Sequence, residues 1–171
     1  MLPLEDLTLS GLLARTARTY PTRPAVWFDG KYTTYAELER QVIECAGRLM
    51  TLGVRRGDRV AILSDPRPYG IAAMYAVEYI GAVAVMLNTS LNLPELLPLI
   101  EQTGAEYLLL GHADKGDGYF EAELDGAVLP ECLRHIVSLR HNCGTYPVLG
   151  DLVPGDERAV RAAADAVTPQ D

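Results

Sequence analysis

The feature that most constrains the fold is a regular alternation of short apolar runs and helical segments. The three runs are DRVAIL (58–63), AVAVML (82–87) and AEYLLL (105–110). Between them, Pro68 stands where a helix would begin, and Asn92 to Glu95 has the residues of a helix N-terminal cap. Strand, helix and strand joined by short links predict βαβ units. We therefore expect an α/β fold with a parallel sheet that helices cover on both faces.

The apolar stretch from Tyr69 to Leu87 has the length of a membrane span but not its character. Glu78 lies inside it, and a carboxylate is costly in hydrocarbon. Gly81 separates an Ala/Met/Tyr-rich half from a strand-like half. We predict a buried helix, a turn and a buried strand, because parallel strands covered on both faces read as continuous apolar runs.

The first third of the chain predicts two helices around a small hairpin. The first helix runs from Thr8 to Tyr20, and Asp29-Gly30 provides the turn of a hairpin spanning Ala25–Thr34. Thr34 to Glu37 is a capping box, and it opens a helix that ends near Leu52. Cys45 lies on the apolar stripe of this second helix, so we interpret it as core filler.

The helix before the third apolar run contains a proline, and the sequence becomes less regular after Gly111. Pro98 is expected to kink the helix that ends at Gly104, because proline removes a backbone hydrogen bond. Beyond Gly111 we predict a helix over Tyr119–Ala127, a strand over 135–139 and an amphipathic run over Asp156–Ala166. Pro169 then marks residues 167–171 as a linker.

Charge and cysteine content exclude some classes of protein. The net charge is −8, which argues against a nucleic-acid partner, since such proteins need a basic surface. Cys45, Cys132 and Cys143 are odd in number and form no C-x-x-C pair. This pattern suits reduced thiols and a cytoplasmic location. The N-terminus has acids where an export signal needs basic residues, so we expect neither export nor a transmembrane segment.

Two local clusters could carry chemistry, and a third set consists of tyrosines. Cys132, His135, His141 and Cys143 are residue types that bind Zn²⁺, but a strand pattern and a loop place them in different elements. We therefore do not favour a metal site.

Ser64-Asp65 and Arg67 follow a strand and precede a helix, which is where α/β sheets bind ligands. The acids and lysine of a phospho-accepting aspartate site are not found elsewhere. A simple strand-to-helix turn, with Asp65 restricted by Pro66, is the preferred interpretation. The tyrosines at positions 32, 35, 69, 75 and 79 are interpreted as core or interface residues.

Several motifs together resemble one enzyme family. YTTYAEL (32–38) resembles the first core motif of the adenylate-forming enzymes, which include acyl-CoA synthetases, peptide-synthetase adenylation domains and luciferases. LGVRRGDRVAIL (52–63), YIGAVAVMLN (79–88) and LNLPELLPLIEQTGAEYLLL (91–110) follow in the same order as in that family. Asn88 is similar to the acyl- and aryl-CoA ligases, whereas Thr89 departs from the proline that commonly follows.

The resemblance implies a two-step reaction for a parent enzyme. A carboxylate attacks the α-phosphate of Mg²⁺·ATP, which releases pyrophosphate, and the thiol of CoA then displaces AMP. No residue here matches a catalytic, cofactor-binding or metal-binding position of the family, so none is assigned and no cofactor is expected in this chain. ATP, Mg²⁺ and CoA belong to the parent enzyme, whose phosphate loop would follow the linker 167–171.

The resemblance also sets the expected organisation and partners. We interpret residues 1–171 as one N-terminal subdomain of a fatty-acyl or related acyl-CoA ligase, with a core over 9–110 and a less regular part over 111–166. Its partners would be the remaining subdomains and, in the full enzyme, a fatty or other carboxylic acid. An uncovered apolar face predicts self-association, and long-chain substrates would suit a peripheral membrane contact. The alternatives are a stand-alone binding or partner module and a flavodoxin-like protein.

Overall fold

The computed structural model describes residues 8–111, 118–140 and 146–169, and the fold is α/β. In chain order the elements are α1 (Leu9–Thr19), β1 (Pro24–Phe28), β2 (Lys31–Thr34), α2 (Tyr35–Leu52), β3 (Arg59–Leu63), α3 (Pro68–Tyr79), β4 (Val83–Leu87), α4 (Leu93–Thr103), β5 (Tyr107–Leu110), α5 (Tyr119–Leu124), β6 (His135–Ser138) and α6 (Glu157–Asp165). A short 3-10 helix, Leu149–Asp151, precedes α6.

The main sheet has four parallel strands in the order β4-β3-β5-β6. Val60 of β3 pairs with Ala84 of β4 on one side and with Tyr107 of β5 on the other. β1 and β2 form a separate antiparallel hairpin. The predicted parallel sheet and the predicted hairpin are both confirmed.

Helices cover both faces of the sheet, as predicted. Val60 and Ile62 of β3 face one apolar cluster, which α1, α2, α3 and α6 complete. The intervening Ala61 and Leu63 face a second cluster, which α4 and α5 complete. Alternate side chains of a strand point to opposite faces, so the apolar run DRVAIL supplies both cores at once.

The predicted capping residues act as expected. Thr34 Oγ1 accepts a hydrogen bond from the Glu37 amide at 3.3 Å, and the Thr34 amide donates to Glu37 Oε2 at 2.8 Å. Asn92 and Glu95 form the same reciprocal pair at the start of α4. These bonds satisfy amides that have no partner inside the helix, so the boundaries of both helices could be predicted.

The hairpin turn also has the predicted chemistry. Asp29 and Gly30 have φ values of 47° and 75°. Positive φ at both central positions is what a two-residue turn between twisted strands requires. This turn brings Trp27 opposite Tyr32.

The prediction that 82–87 forms a buried strand is wrong in its burial. β4 lies at the edge of the sheet, and Val83 and Met86 are 42% and 52% exposed. An apolar run reads the same in a central strand and in an edge strand, because strand order is not encoded locally. The edge therefore presents apolar side chains to solvent.

The sequence does not predict every detail of α4 and α5. α4 is one continuous helix through Pro98, so the lost hydrogen bond does not divide it, and the kink stays a prediction. α5 ends at Leu124, three residues before the predicted end. Asp125 leaves the helical region with ψ 109°, and Gly126 follows with φ 88°, so the chain turns away there.

Candidate functional site

The carboxyl ends of the parallel strands meet at one edge of the sheet. Ser64 follows β3, Gly111 follows β5, and Ser138 closes β6. The Gly111 amide donates to Leu63 O at 2.8 Å, which holds the two strand ends together. This edge is where ligands bind in open α/β sheets, so it is the first candidate for a site.

Ser64 occupies the space between two glycines. Its Oγ donates to Asp65 O at 2.9 Å. A Cβ added to Gly70 would lie 2.8 Å from that Oγ, and one added to Gly111 would overlap the Ser64 side chain. The edge is therefore filled by Ser64 rather than open beneath it.

The Asp65–Arg67 arrangement is a turn that closes on itself. Arg67 Nε donates to Asp65 Oδ2 at 3.0 Å, and the Arg67 guanidinium carbon lies 5.2 Å from the centroid of the Phe28 ring. Asp65 Oδ1 is buried and accepts no hydrogen bond from the described part of the chain. Residues 64–67 join β3 to α3, so the predicted strand-to-helix turn is present, and Arg67 engages one of the two carboxylate oxygens of Asp65.

A groove of about 470 Å³ lies between the hairpin, α2 and the start of α3. Its charged groups are already paired. Arg48 donates to Glu44 Oε1 at 2.7 Å and to Leu152 O at 3.1 Å, and Arg67 holds Asp65. The sequence does not predict this groove, because its residues come from positions 28 to 150 and share no local pattern. The lining residues are Phe28, Gln41, Glu44, Cys45, Arg48, Arg67, Pro68, Tyr69, Ala72, Leu139, Leu149 and Gly150.

Cys45 lines the groove but is not poised as a nucleophile. Burial raises the pKa of its thiol from 9.0 to about 12, although Arg48 nearby acts in the opposite direction. The thiol is therefore neutral near pH 7, and the reactive thiolate is suppressed. The interpretation of Cys45 as a packing residue agrees with this surrounding.

The four residues considered for zinc are only half within the described chain. Cys132 Sγ donates to Ile100 O at 3.8 Å, and the His135 ring stacks on Tyr107 with centroids 5.0 Å apart. His141 and Cys143 lie outside the described residues. Within residues 8–111, 118–140 and 146–169, no group of three His, Cys, Asp or Glu could hold a metal ion.

The tyrosines divide between core and surface. Tyr79 is 2% exposed, and Tyr75 and Tyr35 pack against the same cluster. Tyr69 lines the groove. Tyr32, however, is 63% exposed, so it is not a core residue, and its interpretation as an interface residue stays a prediction. It lies on the outward face of the hairpin, which the periodicity of so short a strand did not reveal.

A buried ion pair lies near the end of β6. Arg140 Nη2 donates to Glu121 Oε1 at 2.7 Å, and these side chains are 13% and 7% exposed. Ser138 Oγ accepts from the Arg140 amide at 3.1 Å. The pair links α5 to the chain segment that follows β6, and this contact gives it a structural role.

Glu78 on α3 gives a prediction about pH. Its Oε2 is buried without a hydrogen-bond partner in the described part of the chain, and burial raises its pKa above 4.5. A raised carboxyl pKa means that folding favours the protonated form, so this contribution to stability is present below the unfolded pKa and is lost as pH rises through the folded pKa. Glu78→Gln is expected to increase the free energy of unfolding at pH 7. The increase should be smaller at pH 5, where more of the Glu78 carboxyl is protonated.

Urea unfolding at the two pH values measures this difference. Glu101→Gln is the matched control, because Glu101 is exposed on α4, and it should change stability little at either pH. A Glu78→Gln variant that is less stable than the parent at pH 7 would contradict the assignment of an unfavourable buried carboxylate.

Among the described residues, no helix combines the length and hydropathy that crossing a bilayer requires. The stretch Tyr69–Leu87 is divided as predicted, into α3, a turn at Gly81 with φ 74°, and β4.

Comparison with known proteins identifies the family. The family model for AMP-binding enzymes matches residues 13–158. The chain is 34% identical over 175 aligned residues to the 3-[(3aS,4S,7aS)-7a-methyl-1,5-dioxo-octahydro-1H-inden-4-yl]propanoyl:CoA ligase of Mycobacterium tuberculosis, with 98% of this chain and 33% of that protein covered. It is 42% identical over 95 residues to a feruloyl-CoA synthase of an Amycolatopsis species, with 56% of this chain and 19% of that protein covered.

The solved structures agree with the sequence comparison. The N-terminal domain of FACL13 from Mycobacterium tuberculosis matches with a TM-score of 0.67 at 25% identity, covering 77% of this chain and 33% of that one. Nearly the whole of this chain aligns with the Mycobacterium tuberculosis CoA ligase, but the alignment covers only about a third of that ligase. The motifs at 32–38, 52–63, 79–88 and 91–110 fall inside the matched region. The chain belongs to the AMP-binding enzyme family, and its relatives are acyl-CoA ligases.

Proposed function

We propose that this chain is the N-terminal subdomain of an ATP-dependent acyl-CoA ligase that activates a fatty acid or a related carboxylic acid. The observation that carries the proposal is the match to a CoA ligase over 98% of the chain, although that match covers only 33% of the relative. In the whole enzyme the substrate carboxylate would attack the α-phosphate of ATP, giving an acyl-adenylate and pyrophosphate. The CoA sulfur would then attack the acyl carbon and displace AMP.

The groove beside the hairpin does not fit the phosphates of ATP, and no cluster of metal-ligating side chains is found among the described residues. The arginines of the groove are engaged by Glu44 and Asp65, and the described chain contains no group of three metal-ligating side chains. We therefore propose that no side chain of this chain takes part in the two chemical steps. Its proposed contribution is structural: it supplies a sheet with two buried apolar cores, and the remaining subdomains would pack against the outer surface of this unit. We also propose a cytoplasmic location, consistent with the free thiols of Cys45 and Cys132.

A chimera tests the proposed function. The corresponding third of the Mycobacterium tuberculosis ligase is replaced by this chain, and exchange of pyrophosphate into ATP is measured with that ligase's own carboxylic acid. We expect exchange by the chimera and none by the 171-residue chain alone. Exchange by the chain alone would refute the assignment to a non-catalytic subdomain. A folded chimera without exchange would favour the alternative, a binding or partner module.

The exposed edge of the sheet predicts self-association. Val83 and Met86 leave apolar surface on β4, which has a partner strand on one side only among the described residues. We expect the sedimentation coefficient to rise with protein concentration. Met86→Lys should weaken this association, because a lysine on an edge strand opposes pairing with another strand. Val128→Lys is the matched control, since Val128 is exposed outside the sheet. Equal effects of the two substitutions would contradict association through β4.

A further inference from the structure

A small pocket lies where the start of α1, the turn between α3 and β4, and the linker meet. Its volume is about 260 Å³, and its walls are formed by Thr8 and Leu9, by Glu78 and residues 81–84, and by residues 167–169. Pockets that hold drug-sized ligands measure about 300–1,000 Å³. This cavity, which we call the linker pocket, is therefore smaller than a site for a nucleotide or CoA, and its size suits a single side chain.

The linker pocket contains a carboxylate that the fold does not pair. Glu78 is the only charged residue among the described residues that line it. Its Oε2 is buried and has no hydrogen-bond partner in the described part of the chain. Burial raises the pKa of this carboxyl, and no basic group of the described chain counteracts the effect. Buried polar groups in proteins are nearly always paired, so this carboxylate requires an explanation.

The surrounding chain does not supply the missing positive charge. Arg56 lies close by, since its Cγ is 3.0 Å from the position that a Cβ on Gly81 would take. Its Nη1, however, donates to Ala166 O at 2.8 Å, at the end of α6. Residues 1–7 precede the pocket in sequence and residues 170–171 follow it, and neither segment contains a lysine, arginine or histidine. A counter-charge for Glu78 is therefore expected from outside this chain.

We propose that the linker pocket receives a lysine or arginine side chain from the remaining subdomains of the ligase, and that Glu78 is the partner of that cation. The inference rests on the proposed function and names a contact that would hold the subdomains together. Leu9 and Val83, which are 43% and 42% exposed, offer apolar surface to the aliphatic stem that both basic side chains carry.

The position of the pocket favours the remaining subdomains as the source. Residues 167–169 form one of its walls, so polypeptide that follows the linker would leave beside it. The alignment covers only 33% of the Mycobacterium tuberculosis CoA ligase, so the larger part of such a ligase is available to supply the basic residue.

Two other occupants suit the pocket less well. A second copy of the chain could cover the apolar edge of β4, but its net charge of −8 makes it a poor source of a cation. An inorganic cation would leave the apolar surface of Leu9 and Val83 in water. A basic side chain satisfies the carboxylate and the apolar wall together.

Small organic cations test the pocket in the chain alone. Butylguanidinium and butylammonium reproduce the ends of arginine and lysine, and butanol has the same apolar stem without charge. In protein labelled with ¹³C at the glutamate carboxyls, nuclear magnetic resonance follows the titration of Glu78. We expect either cation to lower the pKa of Glu78 towards 4.5, because a nearby positive charge favours the carboxylate, and butanol to leave it unchanged. Glu101, exposed on α4, is the control signal.

The parent ligase tests the identity of the occupant. In that protein, Glu78→Gln removes the partner of a buried cation, so the subdomains should separate more readily at the linker. We expect thermolysin to cleave at Val167 roughly tenfold faster in Glu78→Gln than in the parent ligase. Glu101→Gln should leave the rate unchanged. In the chain alone, neither substitution should speed cleavage at this position.

The outcomes separate this inference from the proposed function. A Glu78 pKa below 4.5 in the chain alone would mean that a cation of this chain already pairs with it, and the proposal would be wrong. An equal response to butanol and butylguanidinium would remove the role of charge. Unchanged cleavage in a Glu78→Gln ligase that still exchanges pyrophosphate into ATP would refute the basic partner and leave the proposed function intact.

Discussion

Arg140→Met is expected to lower the free energy of unfolding by about 3–5 kcal/mol. The substitution removes the partner of Glu121, whose side chain is 7% exposed, so a carboxylate would be left buried without its counter-charge. The hydrogen bond of 2.7 Å between Arg140 Nη2 and Glu121 Oε1 is lost at the same time. Urea unfolding followed by circular dichroism, at pH 7, measures the change.

The double variant Glu121→Leu, Arg140→Met identifies the cause. Removing both charges leaves neither group unpaired, so the double variant should recover most of the stability that the single variant loses. Arg134→Met is the surface control: Arg134 and Glu106 are 69% and 42% exposed and 3.6 Å apart, and their loss should change stability by less than about 1 kcal/mol. If the control and Arg140→Met had equal effects, burial would not be the reason.

Local periodicity and capping account for most of what could be predicted from the sequence. The capping boxes at Thr34 and Asn92 fix helix starts through bonds between residues three apart. Asp29-Gly30 fixes the hairpin through backbone conformations that few residue pairs adopt. Each of these patterns lies within a few residues, so it can be recognised without knowledge of the tertiary fold.

The order of strands and the contacts across the chain could not be predicted in the same way. β4 is an edge strand, yet its sequence is as apolar as that of β3 at the centre. Arg48 meets Leu152 across 104 positions, and Arg140 meets Glu121 across 19. Such pairs form only after the helices have been placed on the sheet, so no local pattern announces the groove or the buried ion pair.

The candidate site shows the same division. The sequence predicts a strand-to-helix turn at Asp65 and Pro66, whereas the ion pair between Asp65 and Arg67 is seen only in the structure. Trp27 and Tyr32 also lie close together in the chain, but the exposure of their shared face depends on which side of the hairpin packs against the core. The order of the motifs indicates the family, whereas the exposure of Trp27 and Tyr32 can be read only from the structure.

Gly111→Ala is expected to destabilise the protein by about 3 kcal/mol, near the upper end of the usual cost of overpacking. A Cβ at this position would overlap the Ser64 side chain and would lie 3.1 Å from Ser64 Cα. The neighbour cannot move away easily, because the Gly111 amide bonds to Leu63 O at 2.8 Å and fixes the two strand ends. The midpoint of urea unfolding should fall accordingly.

Replacing Ser64 by glycine tests whether the Ser64 side chain causes the predicted loss of stability in Gly111→Ala. In a Ser64→Gly background the same Gly111→Ala change should cost about 1 kcal/mol or less, because the Cβ that it meets is gone, and the coupling between the two positions should be about 2 kcal/mol. Gly57→Ala is the control for conformation alone: it has φ 84° and open space around it, so about 1 kcal/mol is expected. Additive effects at positions 64 and 111 would mean that the strand ends separate to admit the methyl group, and that the carboxyl edge of the sheet is less rigid than its packing indicates.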